Sequence, residues 1–368
     1  MILINSVRMD DDSASLCCCE YYDINYERNH ILACCCNCED LDEAFESLIT
    51  RQGVTEKNKK GLMMTMKDRF RIPWKGGAKQ VAFDAILPIF ILPTTLILAS
   101  ISLWWTIFAF TSVIIFLILI SSFLIRTLPH TKFFFVWSLT SLIILYVIFE
   151  FIVIPFLEIL LEENIALSIL IFGFLICGFI MKKRTKQLPR LGENELEKGL
   201  ISKSYYRLVN CSICQVRVPD KDHHCVWFDC CVGKHNQCAF ILSLFFAIGA
   251  LLYSSNLTLT SVCHPFILYK TILLPDDCSE VYKLFELGLS FVSAIYSLVV
   301  ACLLFILFLQ QLLLVSLGIT LKDWVRLPLR VKLCLGLTAN RPNSKGFIKN
   351  WKAVLCWNRY FSSSFSQM

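Results

Sequence analysis

Between residues 83 and 317 the chain is a succession of long apolar blocks separated by short polar stretches. A helix that crosses a bilayer needs about 20 mostly apolar residues. Blocks near 83–103, 105–125, 133–156, 165–181, 239–260 and 284–317 meet that requirement and predict an all-α polytopic membrane protein with about six transmembrane helices. The last block is long enough to tilt or to project beyond the bilayer. The pattern is weakest over 83–125, where Leu103-Trp104-Trp105-Thr106 leaves only a tight turn between two spans and Pro88 and Pro93 interrupt the first. A single long or re-entrant segment there would reverse the side of the N-terminus.

Outside the blocks the pattern changes. Residues 1–80 form an N-terminal region, acidic and cysteine-rich at first and basic later; 81–190 hold four helices, 191–238 a polar segment, 239–317 two helices and 318–368 a C-terminal tail. The first 50 residues lack the apolar periodicity of a sizeable core and are expected to be mostly flexible. Their cysteines, Cys17, Cys18, Cys19, Cys34, Cys35, Cys36 and Cys38, occur in consecutive runs without zinc-finger spacing. Reduced, unliganded or lipid-modified thiols are therefore favoured over metal ligands.

Composition supports the membrane reading independently, with 56% hydrophobic residues and a mean hydropathy of +0.61. The formal charge of +6 implies no nucleic-acid partner here, because the cations report topology. Basic segments at 57–79, 126–132, 182–186 and 322–332 all fall on one side of a six-helix arrangement, and Lys and Arg mark the cytoplasmic side. The other side receives Glu158, Glu162 and Glu163 in one loop and Asp276, Asp277 and Glu280 in another. Both termini and the polar segment 191–238 are then expected in the cytoplasm, at an endoplasmic reticulum or Golgi membrane or at the plasma membrane. Residues 1–12 lack the basic-then-apolar order of a cleavable signal, so the first helix is expected to target the chain. Asp84, Glu150 and Glu286 are the acidic groups that a channel or transporter would use. Asp84 and Glu286 lie near span ends and Glu150 in the outer half of its span, which makes transport the weakest reading.

The chemistry concentrates in the polar segment before the fifth block. Three of the six histidines fall between 223 and 235, beside Cys211, Cys214, Cys225, Cys230, Cys231 and Cys238. Such clustering points to thiol chemistry or to metal. Cysteine attacks as its thiolate, which needs a neighbouring base or positive field at neutral pH, and His223 stands near Cys225. A plainer alternative makes Cys225 another metal ligand.

The pattern DHHC-x5-C-x4-N-x3-F, running from Asp222 to Phe240, resembles the DHHC-type protein S-acyltransferases, or palmitoyltransferases. Cys211-Ser-Ile-Cys214 resembles part of that family's cysteine-rich domain, and residues 33–43 resemble the subgroup that includes an interactor of neuronal nitric oxide synthase. The resemblance implies that His223 acts as base to Cys225, that Asp222 orients His223, and that His224 is a zinc ligand. It also implies a two-step reaction in which Cys225 takes the acyl group of palmitoyl-CoA or another long-chain acyl-CoA and passes it to a cysteine of a client protein. Asn236 would brace the loop or the helix end.

The chain departs from that family where metal is concerned. Of the eight zinc ligands the resemblance implies, four have no counterpart, and Asn210 and Arg217 stand where a His and a Cys would serve the first of two zinc sites. Cys211, Cys214, His224 and Cys231 survive. Together they make a Cys3His set, enough for one tetrahedral structural zinc with no open position. An unfolded domain and a chain derived from a skipped exon or an imperfect gene model stay open as alternatives. So does a catalytically inactive membrane partner of full-length relatives.

Further expectations attach to single residues. Arg217, Lys221 and Lys234 are candidates for the phosphates of CoA, with anionic lipid headgroups as the competing reading. Thr320 and Asp323 resemble a reduced form of the family's Thr-Thr-x-Glu element, expected to give structural support. The run from Gly346 to Asn350 and Trp351 resembles its C-terminal Gly-x3-Asn motif, and a generic amphipathic segment on the membrane is the alternative. Cys263 and Cys278 are candidates for a lumenal disulfide, Asn256 fits a glycosylation pattern inside a span where no sugar is expected, and Ser366-Gln367-Met368 offers a PDZ-type end.

Overall fold

The computed structural model describes residues 17–22, 28–33, 68–81, 83–127, 131–157, 159–189, 208–268, 272–328 and 346–355, with positions 46, 49, 50, 61 and 332 besides. Cys34, Cys35, Cys36, Cys38, most of the 33–43 resemblance and the Ser366-Gln367-Met368 end lie outside the described residues. Two compact units emerge, one drawn from Met1–Leu87 and Ile118–Phe133, the other from Pro88–Leu117 and Phe134–Met368.

In the first unit, β1 (Glu20–Tyr22) pairs antiparallel with β2 (Arg28–His30), and β3 (Arg71–Ile72) with β4 (Lys79–Gln80). The Ala78 N–H donates to the Glu20 carbonyl at 2.7 Å, and the Arg71 guanidinium stacks 4.0 Å over the buried Tyr21 ring. The stretch after Cys17 is thus a hairpin and not the flexible chain expected. One aromatic ring with a cation over it is too small a core to register as periodicity. Asp84 is also local: its carboxylate accepts from Thr131 Oγ1 at 2.7 Å and from the Lys132 N–H at 2.8 Å.

The second unit is a helical bundle. Its elements are α1 (Ile86–Ala99, which begins in the first unit), α2 (Leu103–Thr127, which passes into the first unit at Ile118), α3 (Phe133–Leu157), α4 (Leu161–Lys186), α5 (Gln237–Val262) and α6 (Phe285–Leu317). Among the described residues, five helices, α2 to α6, are long and apolar enough to cross a membrane. The first expected span is instead the 14-residue α1, preceded by a 3-10 turn at Phe83–Ala85. α3 changes to a π turn at Phe149–Val153, directly before Pro155. Proline lacks the N–H and has a ring that clashes with the preceding turn.

α5 is the central helix: half of its apolar stretch is buried, against 17–22% for the other four. It packs on α4 and on α6. Gly173 lets Phe246 close on the α4 backbone, where a Cβ would stand 2.8 Å from the ring. Polar side chains tie the helices together, as small and hydroxylated residues do in membranes. Ser255 Oγ donates to the Ala294 carbonyl at 2.9 Å, and the Tyr296 hydroxyl meets Trp137 Nε1 at 3.1 Å and Ser141 Oγ at 2.8 Å. The outer faces carry Ile114, Ile115, Phe172, Phe179, Leu303 and Ile306, all exposed. Water would not tolerate so extensive an apolar surface, whereas a bilayer would cover it.

The helices alternate in direction. One end gathers Ser100 after α1, Thr106 of α2, and the first turn of α6, where a Cβ on Gly288 would lie 2.6 Å from the Ser100 carbonyl oxygen. The same end holds the Cys263–Cys278 disulfide, so that pairing is formed. The opposite end receives the start of α3, the end of α4, the start of α5 and the end of α6, and it carries the polar segment.

A zinc-type knuckle and a thiol–histidine–aspartate group

From Leu208 onward the polar segment holds two antiparallel hairpins. β5 (Leu208–Cys211) pairs with β6 (Val216–Pro219), and β7 (His223–Cys225) with β8 (Cys230–Val232). Each turn needs a residue in the left-handed region, supplied by Gln215 at φ 55° and Asp229 at φ 49°. The first turn holds Cys211 and Cys214. In the second hairpin His223 lies opposite Val232, His224 opposite Cys231, and Cys225 opposite Cys230.

That register separates the two adjacent histidines. Side chains alternate between the faces of a strand, so His224 shares a face with Cys231, while His223 and Cys225 share the other. The strand thus gives their different directions a regular cause.

On the first face the donor atoms of Cys211, Cys214, His224 and Cys231 lie within 4.8 Å of one another. Cys214 Sγ is 3.3 Å from His224 Nδ1 and 3.5 Å from Cys231 Sγ, which is 3.8 Å from His224 Nδ1. A tetrahedron of Zn–S and Zn–N bonds has edges of about 3.5–3.8 Å, so the donor set fits that ion. The thiols act on one another: hydrogen bonding from Cys214 and Cys231 lowers the Cys211 thiol, whereas hydrogen bonding to Cys211 lifts Cys214 to about 11. Three thiols this close ionise together only around a cation. Leu188, Val216 and Val218 pack behind them.

Asn210 and Arg217 are directly opposite in β5 and β6. The two residues form one rung of the first hairpin.

On the second face, Asp222 Oδ2 meets His223 Nδ1 at 2.8 Å. Burial pushes the His223 imidazole down, but its hydrogen bonds with Asp222 and Cys225 prevail and hold it at about 9. It is therefore protonated at neutral pH. Asp222 Oδ1 accepts from the Leu321 N–H at the first turn of α7 (Leu321–Arg326). The helix is capped by Thr320, whose Oγ1 donates to Asp323 Oδ2 at 2.7 Å and accepts from the Asp323 N–H. Cys225 is buried beside Cys230, Met181, Phe240 and Leu244, with the His223 ring edge-on to Phe240 at 5.6 Å.

A comparison with known proteins decides what this arrangement is. The family profile described as DHHC palmitoyltransferase matches residues 202–327, which contain both hairpins, α5, α6 and α7. Palmitoyltransferase ZDHHC23-B of Danio rerio is 29% identical over 95% of this chain and 94% of its own length. Palmitoyltransferase ZDHHC23 of Mus musculus is 28% identical over 91% and 92%, and that of Homo sapiens 28% over 84% and 88%. Residues 202–327 are a DHHC palmitoyltransferase domain, and the near-full-length relatives support that family for the chain. It is an acyltransferase of the DHHC type, and its near-full-length relatives are consistent with the subgroup resemblance of residues 33–43.

The DHHC domain is anchored on the bundle. Asn236, fully buried, accepts from the Gly233 N–H at 3.1 Å and donates to the Cys231 carbonyl at 2.8 Å and to Thr185 Oγ1 at 3.3 Å, which joins hairpin to α4 as the bracing role anticipated. His235 is also buried, and burial together with Arg184 lowers it to about 3. The turn of β7–β8 reaches into the bundle: Trp227 meets Phe134 at 5.1 Å, and Phe228 meets Phe174 and Phe240 at 5.8 and 6.2 Å. Beyond α7, α8 (Phe347–Leu355) packs against α6, with Asn350 Nδ2 donating to the Ser316 carbonyl at 3.2 Å and Trp351 Nε1 to Ser316 Oγ at 3.2 Å. Its Phe347, Ile348 and Leu355 stay exposed, so the packed motif and the amphipathic surface segment are one helix.

Of the cations proposed for CoA, Lys234 pairs with Asp220 at 3.2 Å, Arg217 lies on β6, and Lys221 is half-buried just before β7. Sequence reasoning missed Cys230, His235 and Leu321. The alternation His-His-Cys against Cys-Cys-Val was the available signal for Cys230. A bond between positions 99 residues apart, as for Leu321 and Asp222, left none.

Proposed function

We propose that the protein is a protein-cysteine S-palmitoyltransferase in which Cys225 carries the acyl group as a thioester. The observation that carries the reading is the register of β7–β8, which sets His223 and Cys225 on one face with Asp222 bound to His223 Nδ1. With Nδ1 committed to Asp222, Nε2 is left for the thiol. The raised His223 keeps a proton on the imidazole beside the Cys225 sulfur. The thiolate attacks the thioester carbonyl of a long-chain acyl-CoA, the acyl–sulfur bond forms at Cys225, and CoA leaves as its thiol by taking the proton that His223 holds. The thiol of a client cysteine then attacks the Cys225 thioester, giving its proton to His223 and restoring the thiol–histidine pair.

Cys211, Cys214, His224 and Cys231 would hold one zinc ion, whose contribution is to fix the hairpins. The acyl chain has an apolar destination beside Cys225 among Met181, Phe240 and Leu244. Arg217, Lys221 and Lys234 are candidates for the CoA phosphates. Basic residues Lys183, Arg184 and Lys186 end α4 on the DHHC side, and a disulfide closes the other side. Both features support a cytoplasmic DHHC domain and cytoplasmic termini, in a secretory membrane such as endoplasmic reticulum or Golgi.

The Asn210–Arg217 rung favours a second reading, a non-catalytic membrane partner that lost one zinc site. Autoacylation of the purified, detergent-solubilised protein with labelled palmitoyl-CoA separates the two. Hydroxylamine-sensitive label that vanishes in Cys225→Ser, with about one zinc per chain, is the expected result. Folded, zinc-loaded protein that takes no label would establish the partner reading instead.

A further inference from the structure

Cys230 has no part in the zinc-type set or in the Asp222-His223-Cys225 group, yet the register puts it directly across the ladder from Cys225. Partners in an antiparallel ladder keep their Cα atoms about 4.5–5.5 Å apart with side chains on one face. A disulfide bridges Cα atoms about 4.4–6.8 Å apart. Both thiols belong to one apolar cluster. Cys231, although next in sequence, points to the opposite face and joins Cys211, Cys214 and His224. The thiol that Cys230 can reach without strand rearrangement is therefore Cys225.

We propose that Cys230 is an oxidative modification site, a resolving thiol that closes a reversible disulfide with Cys225 when the protein meets hydrogen peroxide. The Cys225 thiolate attacks one peroxide oxygen; an S–O bond forms, the O–O bond breaks, and the departing oxygen leaves as water after protonation. The Cys230 sulfur then attacks the Cys225 sulfenic sulfur; the S–S bond forms, the S–O bond breaks, and the leaving hydroxide takes up the Cys230 proton as a second water. Two thiols are oxidised by two electrons in all, and one peroxide is reduced to two waters. The bridge removes the sulfur that accepts the acyl group, and exchange with a dithiol restores both thiols. The loss of transfer rests on Cys225 being the nucleophile as proposed above; the bridge itself does not.

The test uses the full chain, zinc-loaded and in detergent, treated with hydrogen peroxide. Peptide 222–234, released by trypsin without reduction, is expected to be lighter by two hydrogens, with fragmentation joining Cys225 to Cys230 and with zinc retained. Autoacylation falls and returns with dithiothreitol. Cys230→Ala labels normally beforehand but loses labelling without recovery, because its sulfenic acid, with no resolving partner, is oxidised further to a sulfinic acid that dithiothreitol does not reduce. A bridge to Cys231, zinc release in step with the loss, or full recovery in Cys230→Ala would each overturn the proposal. Untreated protein that does not label would count against Cys225 as acyl carrier, while the peptide mass would still decide the bridge.

Discussion

Asp222, His223 and Cys225 occupy four consecutive positions with His224, and their division of labour comes from which face of β7 each side chain takes. His223→Gln keeps a planar polar side chain but cannot hold the proton, so autoacylation should fall by about 10²–10⁴, the usual worth of general acid–base catalysis. Zinc content should stay unchanged, whereas His224→Gln should lose zinc first; equal zinc loss in both variants would show that the two histidines are not divided between the faces. His235 gives a different signature. Its pKa is lowered in the fold from 6.5 to about 3, by burial and then by Arg184. The unfolded chain binds a proton that the folded one refuses, so the contribution of this residue is present above about pH 6.5 and is lost as pH falls towards 3. At about pH 5 the loss is about 2 kcal/mol. Thermal unfolding at neutral pH and at about pH 5 should show a larger acid-induced drop for the wild type than for His235→Gln; equal drops would place the acid sensitivity elsewhere.

Elements differ in how far the sequence announced them. The spans were legible because hydropathy over some twenty positions is a local property: α2 to α6 lie where the apolar blocks lie, and only α1 is too short to cross by length. The hairpins were not. Strands of three and four residues complete too few alternations for a period of two to stand out. The four ligands and the Asp222-His223-Cys225 group were readable from motif spacing, but the link to α7 depends on tertiary approach. That link can be tested without disturbing the helix. Leu321 is the first helical residue of α7, after an extended Thr320 at φ −83°, ψ 158°, and proline is tolerated there while lacking the N–H. Leu321→Pro should therefore leave α7 formed and Asp222 one donor short. A hydrogen bond to a charged group is worth about 1.5–3 kcal/mol, so autoacylation should fall by about tenfold or more, with zinc unchanged. Unaltered labelling would make the contact incidental.

The whole molecule separates two chemistries by the thickness of a helical bundle. At one end the proposed metal ligands and acyl carrier need reduced thiols; at the other, Cys263 and Cys278 are joined across 15 residues. Removing that bridge by double substitution to Ser should cost about 3 kcal/mol, read as a lowered unfolding temperature with autoacylation per folded molecule preserved. In sealed membrane vesicles with the cytoplasmic face outward, a membrane-impermeant maleimide should reach cysteines of the DHHC end without permeabilisation. Cys263 and Cys278 should react only after permeabilisation and reduction, and reaction before it would reverse the proposed orientation.

His223 and His224 are the same amino acid on the same strand, and only the parity of their positions tells them apart. A slip of one residue in β7 would turn each to the opposite face, offering the proton carrier to the ion and the ligand to the thiol. The clustered donors that fit zinc act as a lock on that parity, since His224 and Cys231 meet one ion only in the register seen here. A shift of one residue in how β7 meets β8 would thus exchange the proposed base for the proposed ligand without altering which amino acids the domain contains.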